Sequence, residues 1–332
     1  MAEHMAYCIG IDGGGTKTEG VLTDISGHVL CIKKYGASNP NDVGLEASAE
    51  LLSHLISDLL TDGGHICPQK VSVFAGVAGA LQQKEKLTYM LRSNHPHLGG
   101  LSVHSDVINL LSASSESGEG VCLICGTGSV CFVRRGNELR RIGGWGYLLD
   151  RAGGGYDIGR MAIETVLRAH DGREDRDACA PLTRAITEHL GEAPQHMLSE
   201  IYAQGKPLIA SCAIPVFDLA RKGDPMAMRI LKINAEAQAE CIAAALEDKL
   251  HDADGHETVV LGGSICVKES GLWTELITAH LPKRVRALVE LKVIDVPPVF
   301  GALAEALAMI PGVDRAACFD VYKREFLSSY LS

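Results

Sequence analysis

Between positions 12 and 18 the chain reads Asp12-Gly13-Gly14-Gly15-Thr16-Lys17-Thr18, a carboxylate, three glycines, two hydroxyls and an ammonium in one short stretch. Glycine carries no side chain, so its backbone N–H can approach an anion closely, and Thr16 and Lys17 add donors beside it. Asp12, on the other flank, can hold a hydrated Mg²⁺. Such a set suits phosphate together with its metal, although a run of glycines also serves as a plain tight turn. Residues 7–11 before it and Val21-Leu22 after it are apolar and β-type, so the segment reads as strand, turn, strand. That reading separates it from a dinucleotide-binding loop, whose G-x-G-x-x-G opens a helix, and from a Walker loop, which needs Gly-Lys-Ser/Thr in the same place.

The device recurs. A strand over 121–125 runs into Gly126-Thr127-Gly128-Ser129 and returns over 130–133, and Arg135-Gly136-Asn137-Glu138 turns into the next strand. The echo points to a duplicated unit, with two glycine hairpins able to grip the phosphates of one nucleotide. Other residues stand where ligands are held. Asp106 follows a strand over 101–104 and starts a helical run, where α/β folds place ligands and where an aspartate also serves as a simple N-cap. Asn39, in Ser38-Asn39-Pro40, either meets a ligand or caps its own turn. Trp145, set among Gly143, Gly144 and Gly146, either lines a pocket or packs in a core, and Gly262-Gly263-Ser264 is a short turn after another strand.

These residues need elements to position them. Strands are expected over 7–11, 29–35, 71–74, 101–104, 121–125, 130–133, 258–261 and 288–293, with a return strand at Val21-Leu22. Residues 36–42 read as loop. Leu45, Ala49, Leu52, Leu55, Ile56 and Leu59 follow helical spacing until Asp62-Gly63-Gly64 stops them, and further helices are expected up to 90, over 157–170 and through 181–250. Pro297-Pro298-Val299-Phe300-Gly301 opens the last helix. The first half thus runs three strands, helix, strand, helix, strand, an α/β pattern with a mixed sheet covered by helices. The polar, Gly- and Ser-rich residues 114–120 mark a domain boundary, which gives domains of 1–117 and 118–332.

Taken together, Asp12-Gly13-Gly14-Gly15-Thr16-Lys17, Ser38-Asn39-Pro40, Asp106, Gly126-Thr127-Gly128-Ser129, Gly144-Trp145-Gly146, Gly155-Tyr156-Asp157-Ile158-Gly159, Gly262-Gly263-Ser264 and Pro298-Val299-Phe300-Gly301-Ala302 make the chain resemble the N-acetylglucosamine kinase family of actin-like sugar kinases, which also covers the BadF/BadG/BcrA/BcrD ATPases. The resemblance implies a two-domain actin-like ATPase fold of the ribonuclease H-like type, α/β, with an active-site cleft between the domains. It implies an ATP-dependent kinase, with ATP and Mg²⁺ as cofactors, that phosphorylates the 6-hydroxyl of N-acetylglucosamine or N-acetylmuramic acid. Asp106 would be the general base and Asp12 the metal ligand. Asp12, Gly13, Gly14, Gly15, Thr16, Lys17, Gly126, Thr127 and Gly128 would hold the phosphates, and Gly262 and Gly263 would lie against the adenosine. Asn39, Asp106, Gly144, Trp145 and Asp150 would face the sugar.

One departure bears on the substrate. Where the family reads Gly-Asp-Glu-Gly, with the Asp on a sugar hydroxyl, this chain has Asp150-Arg151-Ala152-Gly153. Either Asp150 takes that part and Arg151 is a surface arginine, or Arg151 sits at the sugar and pairs with the lactyl carboxylate of N-acetylmuramic acid. A rival reading from the same family is an ATPase that activates an acyl-CoA reductase or dehydratase by electron transfer. Such proteins carry an iron–sulfur cluster, for which no convincing ligand set occurs here. A nucleotide-dependent regulator lacks an appended basic recognition helix.

With 332 residues and 46% apolar content there is ample material for two cores. The formal net charge of −10 argues against general binding to nucleic acid or an anionic membrane and favours a small-molecule substrate, which the resemblance implies is an amino sugar. Met1 to Met5 is too short and polar for a signal, and no apolar run approaches a membrane span, so the expected compartment is the cytoplasm. The expected assembly is a homodimer. The 11 cysteines are scattered through apolar runs and read as reduced core thiols. Cys122 and Cys125, three apart on a strand, point to opposite faces and make a poor metal pair.

Overall fold

The computed structural model describes residues 6–136, 138–151, 153–247 and 256–331. The expectations for Met1 to Met5, for Asn137 in its hairpin turn, for Ala152 and for the end of the helical block up to 250 lie outside them. Among the described residues, ten strands form two five-stranded sheets. The first holds β1 (Tyr7–Gly13), β2 (Thr18–Asp24), β3 (Val29–Tyr35), β4 (Val71–Val77) and β5 (Gly100–His104), in the order β3-β2-β1-β4-β5. The second holds β6 (Gly120–Cys125), β7 (Ser129–Arg135), β8 (Glu138–Ile142), β9 (Glu257–Gly262) and β10 (Val289–Val293), in the order β10-β9-β6-β7-β8.

The two sheets share one topology. In each, three consecutive strands are antiparallel, and the first of them then pairs in parallel with the fourth, which pairs in parallel with the fifth. The repeat of the glycine hairpin in the sequence is therefore the visible part of a repeated sheet. Parallel strands must be buried on both faces, and all seven residues of β4 are. The helix Leu45–Asp62 buries Ala49, Leu52, Leu55, Ile56 and Leu59, the stripe expected from its spacing. The stretch read as loop contains one helical turn, Pro40–Val43, capped by Asn39. Among the described residues, no helix is long and apolar enough to cross a membrane.

The chain divides into two compact units, residues 1–119 with 294–332, and residues 120–293. The division at 119 falls within the polar stretch at 114–120. The second domain, expected over 118–332, ends instead at 293. The reason is packing within the first unit. A Cβ at Gly10 would lie 2.6 Å from the backbone N of Leu303, so the helix Pro298–Ala308 rests directly on β1. Nor is that helix the last. A further one, Arg315–Tyr330, buries Phe319, Tyr322 and Phe326, and these ring the buried Phe300 at centroid distances of 5.3–6.0 Å. Its Tyr322 hydroxyl shares a 2.7 Å hydrogen bond with Thr23 in β2.

Candidate active site

In the first unit, β1 and β2 pair up to Gly13 opposite Thr18, which leaves Gly14, Gly15, Thr16 and Lys17 as the turn. The turn is closed by Gly14 N–H donating to Lys17 O at 2.9 Å, and Gly15, Thr16 and Lys17 are exposed. Loop 36–39 clamps it. Ser38 N–H and Asn39 N–H donate to Gly14 O at 3.0 and 3.3 Å, and the buried Thr18 hydroxyl donates to Gly36 O and Ser38 Oγ. Gly13 has to be glycine, since a Cβ there would lie 2.5 Å from Ser38 Oγ. The clamp brings Asn39 beside the phosphate-type turn. Its side chain meanwhile caps its own helical turn, with Oδ1 accepting from Asn41 N–H at 3.0 Å and Nδ2 donating to Asp42 at 2.7 Å.

Asp12 ends β1. Asn109 donates to its Oδ1 at 2.8 Å from the helix Val107–Ser114, the helix that Asp106 precedes. The same amide lies 3.3 Å from Ile11 O and from Gly76 O, the carbonyls of neighbouring strands. Gly76 makes room for it, because a Cβ there would stand 2.1 Å from Asn109 Oδ1. Burial pushes the Asp12 carboxyl up to about 6, with the Asn109 bond opposing and the negative charges of Asp106 and Glu19 adding to the rise. Burial also raises Asp106, against a 3.0 Å hydrogen bond from Ser105 Oγ. The Asp106 side chain makes no N-cap hydrogen bond to its helix, and the backbone N–H groups of Val107 and Asp106 also oppose the rise. The first unit therefore holds two electrostatically coupled carboxyls, both raised, beside a glycine turn.

Asp12 Oδ2 has no hydrogen-bond partner among the described residues. One hard carboxylate oxygen left over at a strand end, beside amides suited to phosphate, fits Mg²⁺, which takes one or two protein carboxylates and completes its shell with phosphate and water.

In the second unit, the turn after β6 is held by Gly126 N–H donating to Gly128 O at 2.9 Å. The start of the helix Gly155–His170 closes on it, with Gly155 N–H on Gly126 O and Tyr156 N–H on Thr127 O, both at 2.8 Å. A Cβ at Gly154 would meet Gly128 Cα at 2.6 Å, and one at Gly153 would meet Asn234 O at 2.3 Å, so both positions call for glycine. From behind, the buried Gln238 donates to Gly153 O at 2.8 Å and Ser129 Oγ at 3.2 Å, and Trp273 Nε1–H fixes its Oε1 at 3.1 Å.

Next to the turn lies a pocket of about 250 Å³. Gly126, Thr127 and Gly155 form one wall, Ser264, Ile265, Lys268 and Glu269 another, and Pro207, Ala210, Ile214 and Phe217 the apolar remainder. Gly263 opens the second wall at φ +89°, and a Cβ there would lie 2.4 Å from Cys125 O. Gly126, Thr127 and Ser264 thus face one space with a polar end and an apolar end, whereas Gly128, Gly262 and Gly263 are not in its wall. Sequence reasoning missed Pro207, Ala210, Ile214, Phe217 and Lys268, which sit in ordinary amphipathic helices. It also missed Asn109, whose signal was a polar residue inside Val107-Ile108-Asn109-Leu110-Leu111.

Trp145 is 63% exposed and therefore not core. The Arg141 guanidinium lies 3.9 Å from its ring centroid, and Asp150 Oδ2 accepts from its backbone N–H at 3.1 Å. Arg151 faces elsewhere, into a cavity of about 390 Å³ lined also by Asp157, Arg160, Glu164, Glu236 and Glu240, with neither Gly144 nor Trp145 in its wall.

Residues 9–306 match the model of the BadF/BadG/BcrA/BcrD ATPase family. The chain is 33% identical over 249 residues, 73% of its length and 80% of the relative's, to the N-acetylmuramic acid/N-acetylglucosamine kinase of Clostridium acetobutylicum. It is 30% identical over 292 residues, 82% of its length and 89% of the relative's, to the N-acetyl-D-glucosamine kinase of Dictyostelium discoideum. A solved structure of a candidate N-acetylglucosamine kinase from Chromobacterium violaceum superposes with a TM-score of 0.69 at 26% identity, covering 91% of this chain and 99% of that one. The ROK hexokinase of Thermus thermophilus, at 16% identity and a TM-score of 0.56 over 90% and 96% of the chains, shares the fold.

Proposed function

Since the chain belongs to the BadF/BadG/BcrA/BcrD ATPase family, we propose that it transfers the γ-phosphoryl group of ATP to the 6-hydroxyl of an N-acetylated amino sugar and accepts both N-acetylglucosamine and N-acetylmuramic acid. The observation that carries this reading is the pair of raised carboxyls, Asp106 and Asp12, which repel one another, with Asp12 held by Asn109 and set beside a glycine turn. A general base works best when its pKa approaches the working pH, and burial moves Asp106 in that direction. Asp106 takes the proton of the attacking hydroxyl while the new sugar O–P bond forms and the bond between the β- and γ-phosphates breaks. Asp12 would hold Mg²⁺, which when bound neutralises charge on the phosphates. The amides of Gly14 and Gly15, with Thr16 and Lys17, stabilise the oxygens of the transferred group, and Thr127 and the Gly126 turn hold the rest of the nucleotide. The pocket between Phe217 and Ile265 takes the adenosine. Asn39, Gly144, Trp145 and Asp150 orient the sugar.

The test is ATP consumption with glucosamine, N-acetylglucosamine, N-acetylmannosamine, N-acetylmuramic acid, glucose and no sugar. Consumption that depends on N-acetylglucosamine or N-acetylmuramic acid is expected, with the phosphate located at the 6-oxygen of the product. Equal consumption without sugar would replace the kinase with the ATPase-activator reading.

A further inference from the structure

We infer that Arg141, rather than Arg151, recognises the carboxylate of an acidic amino sugar held at the Gly144-Trp145-Gly146 turn. The inference rests on the amino-sugar kinase reading and adds to it the residue that admits the charged substrate.

Arg141 is the penultimate residue of β8, the edge strand of the second sheet. Gly143 and Gly144, at φ +65° and +70°, fold the chain back so that the Trp145 ring comes under its guanidinium. The fold-back leaves little freedom, because a Cβ at Gly144 would lie 2.6 Å from Val130 Cβ, and Asp150 anchors Trp145 from the other side. One face of the indole is thus covered by a cation, while the side chain remains 63% exposed and can receive a sugar ring. Stacking fixes the guanidinium plane without using its N–H groups.

Those donors are available. Arg141 makes no hydrogen bond or ion pair with any described residue, whereas Arg135, Arg160 and Arg221 of the same unit are paired with carboxylates. A preoriented guanidinium with free donors is what a carboxylate calls for, since the two planar groups join through parallel hydrogen bonds. Arg151 has the wrong surroundings. Its cavity presents Asp157, Glu164, Glu236 and Glu240, which repel an anionic sugar.

The experiment compares the parent protein with Arg141→Ala, Arg141→Lys and Arg151→Ala by kcat/KM on N-acetylglucosamine and N-acetylmuramic acid. Sugar binding is followed separately through tryptophan fluorescence. Trp273 is fully buried and bonded to Gln238, so loss of the sugar-dependent signal in Trp145→Phe assigns that signal to Trp145, the other of the two tryptophans. Arg141→Ala is expected to lose roughly ten- to a hundredfold on the muramic sugar, the scale of a charge-assisted hydrogen bond, and at least tenfold less on the neutral one. Arg141→Lys keeps the charge but not the fork and should fall between. Equal losses on both sugars or a selective loss in Arg151→Ala instead would overturn the inference and leave the kinase reading intact, and a parent active on N-acetylglucosamine but not on the muramic sugar would overturn the inference and narrow the kinase reading to the neutral sugar. A parent with no sugar-dependent ATP consumption would remove both.

Discussion

Asp106, Asp12 and Asn109 form the smallest unit on which function can be argued. Replacing Asp106 with Asn keeps shape and hydrogen bonding but removes the proton acceptor. We expect kcat to fall about a hundredfold or more with nucleotide binding retained, and near-normal kcat at saturating sugar would exclude Asp106 as the base. The Asp12 carboxyl, pushed up from 3.8 to about 6 by burial, sets the direction of the pH response. Its ionised form is the one that can hold a metal, and that form is lost as the pH falls through about 6 rather than near 4. The kcat/KM profile should therefore drop on the acid side near pH 6, and excess Mg²⁺ should push the drop to lower pH by competing with the proton. A limb that ignores Mg²⁺ would separate Asp12 from the metal. Asn109→Leu keeps the branched shape and removes the donor that lowers the Asp12 pKa. Calorimetric titration should show binding of a non-hydrolysable ATP analogue weakened more with Mg²⁺ present than without it. Equal weakening in both titrations would make Asn109 purely structural.

At the scale of elements, glycines decide how closely helices approach the sites. Gly301 lets the helix Pro298–Ala308 press onto Val107–Ser114, because a Cβ there would fall 1.8 Å from Asn109 O, a backbone atom that cannot move aside. Gly301→Ala must separate two buried helices and shift the one that follows Asp106. We expect a loss of more than about 2 kcal/mol in denaturant unfolding, together with lower kcat. An unchanged midpoint would show that the two helices can part without cost. The sequence marked Gly301 only as part of a motif. Which backbone it touches depends on a helix nearly two hundred residues away.

At the scale of the whole molecule, the returning C-terminal segment is the feature with consequences. Tyr322 and Phe326 are fully or almost fully buried within the first unit, so a chain ending at residue 314 exposes Phe300 and unpairs Thr23. Hydrogen exchange should then rise through β1 and β2, while the second unit, closed over 120–293, keeps its protection. A uniform rise through both units would mean that the terminal helix stabilises more than the unit it packs on.

Residue types and short spacings were enough to expose the two glycine hairpins, the strand-end Asp106, the alternation of strands and helices and the family, because each depends on the chain within about ten residues. The first domain boundary was legible for the same reason, as a polar stretch between apolar ones. The second was not. Nothing local to residues 294–332 says which core their apolar stripes will cover, and that choice is made by the fit of Gly10, Gly301 and Phe300 against partners distant in sequence. The same limit governed the sites. Asn109 could be noticed as a polar residue in an apolar run, but its bond to Asp12 exists only once β1, β4 and the helix after β5 are assembled. Likewise Arg141 and Arg151 are chemically alike on paper. Tertiary structure alone sets one on an exposed indole with its donors free and the other among carboxylates, since the path of a glycine-rich turn is fixed by what it packs against.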